Sequence, residues 1–392
     1  MGIVLSHTTA KAVYQAAYSV VTSTAESFES DVRLNAAPSA REVIAAKGWL
    51  SKHGIDLGGK DLEVLVPNLM QRRICQGLTY HATRQEITRS ELNELGENVF
   101  IVSIERCALE AATYLSLPEL VEYYFELCSA YALEIDDPTD YSERPALTST
   151  VKLKRYFDQA KNQHGIDLAR KAIRYVRDGC RSPMETAFVM MLTLPRRFGG
   201  LGIRDIETDY EIKVAKVARE LTRHTKFYFD AYLRRSKTDI EYNGFYHDSD
   251  ENRAIDEERK NALKAMGFEI VTVSRHSFFD KNAFARVMLS IIRREGIRPS
   301  RLPENFFVEQ ENLRQFVLRR YIEKAKREDE RRRAEQSERD KAAQENEMAL
   351  GIVDDPSIND VPEIADMQQI NVFEDNADTD GRIYGSLSIA ED

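Results

Sequence analysis

Hydrophobic and polar positions repeat on two periods along this chain, and the switches between them outline its organisation. Ala, Val, Ile and Leu fall at helical spacing through residues 10–23 and 40–53,. Short apolar runs at 62–67, 77–81 and 98–102 then read as strands,. Helical spacing returns from Ser103 to Leu115, and again in a Leu-, Tyr- and Phe-rich stretch from Leu117 to Leu133,. Polar turn formers from Asp136 to Pro145 close an expected α+β domain of residues 1–145,. Residues 146–180 read as a helical connector with exposed Lys and Arg.

From Ser182 the order becomes helix, Gly-rich loop, strand, hairpin, helix, strand, helix. That alternation predicts an α/β domain over 181–305, with a mixed sheet flanked by helices. Phe227 to Tyr232 and Thr238 to Tyr242 are two short strands joined by the polar turn Arg234-Arg235-Ser236-Lys237,. Residues 251–266 form an amphipathic helix with Ala254, Ala262 and Leu263 on the expected inner side, and Gly267 ends it before an apolar strand,. After Pro303 a helix resumes with Leu313, Phe316, Val317 and Tyr321, and it turns almost wholly charged from Lys324 to Glu347. Residues 306–350 are therefore expected to be a charged helix, whose 311–349 stretch offers a surface to a protein partner. Residues 351–392 are acidic and poor in large apolar side chains, the composition of a disordered tail,.

Charge changes the picture only once it is located. The formal net charge is −10, but residues 309–392 hold 12 Lys and Arg against 22 Asp and Glu, which leaves 43 of each sign in residues 1–308. The body is neutral, so the acidic total does not exclude a surface that binds a polyanion. Cys75, Cys107, Cys128 and Cys180 are widely spaced and form no CxxC pair, which argues against a zinc ribbon or a disulfide framework,. No apolar run approaches the roughly 18 residues of a membrane span, and no signal peptide is read, so a cytoplasmic protein is expected. Met1 to Ser6 also fits the loose myristoylation pattern, a match short enough to arise by chance,.

The candidate chemistry lies in the hairpin. Pairing across its turn sets Asp230 on one strand near Glu241 on the other, and two converging carboxylates are oxygen ligands of the kind Mg²⁺ takes,. Strand-end carboxylates facing solvent would give the same spacing. The run Ile240-Glu241-Tyr242-Asn243-Gly244-Phe245-Tyr246-His247, followed by Asp256 and Arg259 on a helix and by Gly267 and a strand, resembles a bacterial family of uncharacterised proteins. That family is related to the very-short-patch-repair endonucleases of the PD-(D/E)xK superfamily. The likeness covers roughly residues 181–280 and includes an upstream Ser182-Pro183-Met184-Glu185 helix start.

The resemblance implies a restriction-endonuclease-like fold and metal-dependent hydrolysis of DNA phosphodiesters. Glu185, Asp230 and Glu241 would hold Mg²⁺ or Mn²⁺, with Asn243 and His247 assisting and Arg259 holding the scissile phosphate; apart from the resemblance, Arg234 and Arg235 at the hairpin tip are candidates for contacts to DNA phosphates,. Asn243 stands where such sites carry Lys or Asp, and an amide has neither charge nor basicity. The rival implication is a non-catalytic, antitoxin-like DNA-binding regulator that keeps the fold. Each residue also has a plain structural reading. Glu185 completes a capping box with Ser182, His247 is a loop histidine beside aromatics, and Asp256 and Arg259 form an ordinary helical pair. In the N-terminal half, Leu65-Val66-Pro67, Gly77 to His81 and Val102 to Arg106 resemble AbiEi-like antitoxins of abortive-infection systems, which implies a DNA partner and a role in bacterial defence. The Gly199-Gly200-Leu201-Gly202 cluster has no preceding strand and no following Lys-Ser/Thr, so it reads as a helix end rather than a phosphate loop,.

The tail offers a first test. A chain ending at residue 350 is expected to keep its melting temperature within a degree or so, since 351–392 lack the apolar area to offset ordering entropy. A large drop in a thermal melt would show that the tail docks.

Overall fold

The computed structural model describes residues 2–349 except 18, 20, 22–33, 35–36, 72–74, 84–86, 97, 135–136, 138, 244–249; His247 and the acidic segment 351–392 therefore lie outside the described residues. The described residues up to Asp329 make one compact unit, and those from Glu330 to Ala349 belong to a second. The elements, in chain order, are β1 (Ile3–Leu5), α1 (His7–Ala16), α2 (Ala40–Lys52), β2 (Leu62–Val66), β3 (Leu78–Ala82), β4 (Leu92–Gly96) and β5 (Val99–Val102). Next come α3 (Ile104–Ala111), α4 (Leu117–Cys128), β6 (Tyr131–Leu133), β7 (Tyr141–Glu143), α5 (Thr150–Gln159), α6 (Ile166–Ala172) and α7 (Pro183–Thr193). The rest are β8 (Ile206–Lys213), β9 (Lys226–Leu233), β10 (Thr238–Asn243), α8 (Asp250–Ala265), β11 (Glu269–Ser274), α9 (Arg275–Phe279), α10 (Lys281–Arg294) and α11 (Phe306–Ala349).

The first sheet runs β3-β2-β1-β5-β4. Its middle strand is Ile3-Val4-Leu5, buried throughout and paired antiparallel to β2 and parallel to β5. The opening residues, which fit an acylation pattern as text, are thus the entry to a central strand. Gly2 is itself buried, and a side chain there would meet Asn98 O at 2.3 Å and the Phe100 ring at 2.4 Å. Tyr14 ties α1 to the sheet by donating to Val102 O at 2.7 Å while accepting from Asn93 at 2.9 Å. The helix expected from Leu117 to Leu133 stops at Cys128. Ser129 is extended, and Tyr131 to Leu133 pair antiparallel with Tyr141 to Glu143, inside the segment read as turn.

The second sheet runs β11-β10-β9-β8, antiparallel except for the parallel β10–β11 pair, which α8 connects. One face packs on the main core through Ala231, Leu233, Ile240 and Val273. The other carries a smaller cluster of Phe227, Phe229 and Tyr232 with Ala262 and Leu263 of α8, whereas Ala254 is exposed. The architecture is a mixed α/β one, with helices on a mixed sheet. The main core continues from Ile3 to Leu318 across the boundaries expected at 145, 180 and 305. The opening turns of α11 belong to it: Phe306, Leu313 and Leu318 are buried, and Arg314 donates to the carbonyls of Phe278 at 3.1 Å and Phe279 at 2.7 Å. Within the described residues, no helix is long and apolar enough to cross a membrane.

The Gly-rich stretch after α7 exists for close packing. Gly199 has φ +84, and a side chain there would lie 2.1 Å from Glu309 O of α11, whereas at Gly202 (φ +70) the nearest atom, Leu194 O, would be 4.0 Å away. Gly199→Ala is expected to cost on the order of 3 kcal/mol, and Gly202→Ala only about 1 kcal/mol of backbone strain. Urea midpoints at unchanged slope measure both. Equal losses would show that the approach to α11 is not what selects Gly199.

Candidate functional site: a buried carboxylate cluster at a strand fork

Ladder pairing between β9 and β10 runs from Thr238↔Leu233 to Ile240↔Ala231 and goes no further. At the next step the strands part, and Asp230 Oδ2 accepts the Tyr242 N–H at 3.0 Å in place of a strand carbonyl. The alternation along β9 slips here too. Phe227 and Phe229 belong to the α8-side cluster with Tyr232, yet Ala231 and Leu233 belong to the main core. Across the sheet, Asp209 has the left-handed φ of 48°, at the one gap in the β8–β9 register. A kink of this kind aims a side chain away from the regular pleat, and Asp230 is the residue it aims.

Asp239 and Glu241 share one face of β10 by strand alternation, and that face looks at α8. Arg259 of α8 reaches back to them: it pairs with Glu241, approaches Asp239 Oδ2 at 3.3 Å and donates to Tyr228 O at 2.8 Å. Its expected partner Asp256 is exposed on the same helix. Asp239 is fully buried, and its Oδ1 has no hydrogen-bond partner among the described residues.

Glu185 enters from the N-terminus of α7. It accepts from Arg181 N at 2.8 Å and from the Ser182 hydroxyl at 3.0 Å, and its own N–H donates to Ser182 Oγ at 3.1 Å. The capping role is therefore real, and it also holds the carboxylate within electrostatic reach of Asp230.

Burial and mutual repulsion set the protonation of this group. Burial, with Asp230 adding to it, pushes Glu185 from 4.5 up to about 7 against the Arg181 and Ser182 hydrogen bonds. Asp230 rises from 3.8 to about 6 through burial and Glu241, opposed by the Tyr242 N–H and by Arg259. Asp239 is also raised, by burial first and by the neighbouring Glu241 second.

The structure thus brings Glu185, Asp230 and Glu241 into one neighbourhood and adds Asp239, which the sequence reading missed. Its signal was the Asp239-x-Glu241 spacing, which puts two carboxylates on one strand face. Asn243 continues the same alternation and is half-buried at the end of β10, beside Ser274 of β11. The ligand atoms of Glu185, Asp230 and Glu241 do not all come within 4.8 Å of one another. The group that meets that distance among the described residues is His7, Glu63 and His81, in the N-terminal sheet. Arg234 is already paired with Glu207 and lies over the Tyr210 ring at 5.4 Å, while Arg235 is exposed in the hairpin turn. No family model matches the chain, and no curated protein or solved structure is detectably similar to it.

The raised carboxyls predict a pH dependence in metal-free buffer. A folded-state pKa above the unfolded one contributes stability that is full below the ordinary values of 3.8 and 4.5 and is lost as pH rises through about 6 and 7,. Unfolding free energy from urea titrations in EDTA should fall across that window, and Glu185→Gln should flatten the part near pH 7. An unchanged slope in the variant would remove Glu185 as its source.

Proposed function

We propose that the carboxylate cluster is a divalent-metal site for hydrolysis of nucleic-acid phosphodiesters, on a restriction-endonuclease-like arrangement of β8 to β11 and α7. One observation carries the reading. Four carboxylates, Glu185, Asp230, Asp239 and Glu241, are gathered at one sheet end, while Arg259 is the guanidinium that reaches Asp239 and Glu241. Surplus buried negative charge has to be relieved by protons or by cations. The donor set is oxygen only, and the buried Asp239 Oδ1 still lacks a partner, which suits a hard ion such as Mg²⁺ or Mn²⁺,.

Asp230 and Glu241 would hold such an ion, with Glu185 and Asp239 beside them. When bound, the ion supplies a polarised water and charge stabilisation at the phosphate. The chain does the rest. Tyr242 N–H keeps Asp230 turned into the fork, the α7 cap keeps Glu185 at its edge, and burial keeps bulk water from screening the group. Asn243, on the Glu241 face, offers a neutral oxygen. DNA is the substrate class that the neutral body and the exposed hairpin turn at Arg235 and Lys237 can accept,.

A second reading is favoured by a specific contact. Arg259 already neutralises part of the cluster by pairing with Glu241, and with Asn243 in place of a charged group the site fits a DNA-binding regulator without turnover.

Purified protein incubated with single- and double-stranded DNA, in Mg²⁺, Mn²⁺ or EDTA, separates the two. The expected result is metal-dependent cleavage that falls by at least 100-fold in Asp230→Ala, with Asn243→Asp tightening metal binding and changing rate or metal preference. Tight DNA binding with no cleavage in any metal, unaffected by Asp230→Ala, overturns the nuclease in favour of the regulator.

A further inference from the structure

The connection between β8 and β9 is a cationic stretch on a neutral body. Residues 213–226 hold five Lys and Arg against one carboxylate, Glu220. The loop has a fixed frame. At its neck the Val214 N–H donates to Thr225 O at 2.9 Å, one step beyond the Lys213↔Lys226 pair that ends the ladder. Val214 and Ala218 are buried in the α8-side cluster with Ala262 and Leu263, and the Ala218 N–H closes a short turn on Ala215 O at 3.0 Å. The His224 ring lies 5.8 Å from that of Phe227. With Val214 and Ala218 turned inward, Lys213, Lys216, Arg219 and Arg223 are left exposed. Among the described residues, Lys216, Arg219 and Arg223 make no ion pair. Cations gathered without counter-charge repel one another and raise the local potential for an anionic partner.

Topology puts this loop at the mouth of the fork. The β9–β10 ladder stops at Ile240 opposite Ala231, so the strands part toward the start of β9, which is Lys226. The hairpin turn of Arg234 to Lys237 closes the other end. Lys226 precedes Asp230 by four positions. At the rise of a strand that is about 13 Å, the span of roughly four steps along one DNA strand. A line of side chains joins the two places. The Lys226 ammonium lies 5.0 Å and the Arg181 guanidinium 5.6 Å from the centre of the exposed Tyr228 ring, and the Arg181 N–H donates to Glu185 at 2.8 Å. Glu211 pairs with Lys226 at 2.9 Å and Asp209 with Arg181 at 2.8 Å. The uncompensated positive charge is therefore the loop's own.

We propose that Lys216, Arg219 and Arg223 form the surface that docks the phosphate backbone of DNA at the fork. The inference rests on the DNA-directed reading of the fork, and it holds for the nuclease and the regulator form alike. Phosphate contacts fix position and register without reading bases. The loop thus holds DNA of any sequence while a phosphate about four steps away meets the carboxylates. Val217 and Leu221 are exposed between the cations, a mixture that an anionic lipid surface also accepts. The place of the loop at the fork mouth is what selects DNA.

The test uses full-length protein and a fluorescein-labelled DNA duplex in EDTA, so that binding is read by anisotropy without turnover. In the triple variant Lys216→Gln, Arg219→Gln, Arg223→Gln, Kd is expected to rise at least about tenfold, and the slope of log affinity against log salt to flatten by roughly 2.7, about 0.9 per lost phosphate contact. Lys152→Gln, Lys154→Gln, Arg155→Gln removes the same charge from the exposed face of α5 and is expected to change both little. All six positions are exposed, and thermal melts confirm that both variants fold. Cleavage in Mg²⁺ or Mn²⁺ is scored separately. A wild type that binds through this loop and cuts nothing upholds the docking surface while overturning the nuclease. Unchanged Kd and slope in the loop variant, an equal loss in the α5 variant, or a wild type that does not bind DNA would each overturn the proposal. So would loop-dependent binding to phosphatidylserine vesicles with none to DNA.

Discussion

At Asp230 a carboxylate replaces a strand. The β9–β10 ladder ends at Ile240 opposite Ala231, and the next amide, Tyr242 N–H, is taken by the Asp230 side chain. A buried N–H has to find an acceptor. By providing it, Asp230 lets the strands part without an orphaned donor and opens a fork at the sheet end. Everything proposed for the C-terminal half depends on that exchange. Glu241 projects beside the fork, Asp239 lies one turn of the pleat behind it, and Glu185 arrives at its edge from α7.

Concentrating carboxylates in this way costs stability unless charge is relieved. The molecule relieves it partly with Arg259, which turns from its own helix face toward Asp239 and Glu241, and partly by raising the carboxyl pKa values. The rest of the body supports the arrangement by rigidity. The cap that starts α7 places Glu185, Gly199 lets that region close on α11, and Arg314 locks α11 to the end of α9. One continuous core joins these elements to the N-terminal sheet.

The two polar clusters differ in chemistry as well as place. The fork offers oxygen donors alone and suits hard ions, while in the N-terminal sheet the stacked His7 and His81 lie beside Glu63 and a buried Glu110–Arg106 pair. Each gathers side chains from several elements: α7, β9 and β10 at the fork, and α1, β2 and β3 in the N-terminal sheet.

That distinction separates what was legible in the sequence from what was not. Periodicity placed α2, β2, β3, β5 and the β9–β10 hairpin, because amphipathic spacing and turn residues act over a few positions. The hairpin alone made Asp230 and Glu241 neighbours, and Ser182-Pro183-Met184-Glu185 announced a capped helix that the structure contains. Strand order and burial are not local. Ile3 to Leu5 became a central strand only because β2 and β5 close on both sides of it. Tyr131 to Leu133 left the preceding helix because a later segment, Tyr141 to Glu143, pairs with it. Arg259 faces Asp239 and Glu241 rather than Asp256, since α8 packs its inner side on the sheet and buried charge attracts it more strongly than an exposed neighbour does,. His7, Glu63 and His81 are far apart in the chain and carry no spacing signature. The sheet that assembles β1, β2 and β3 is what brings them together.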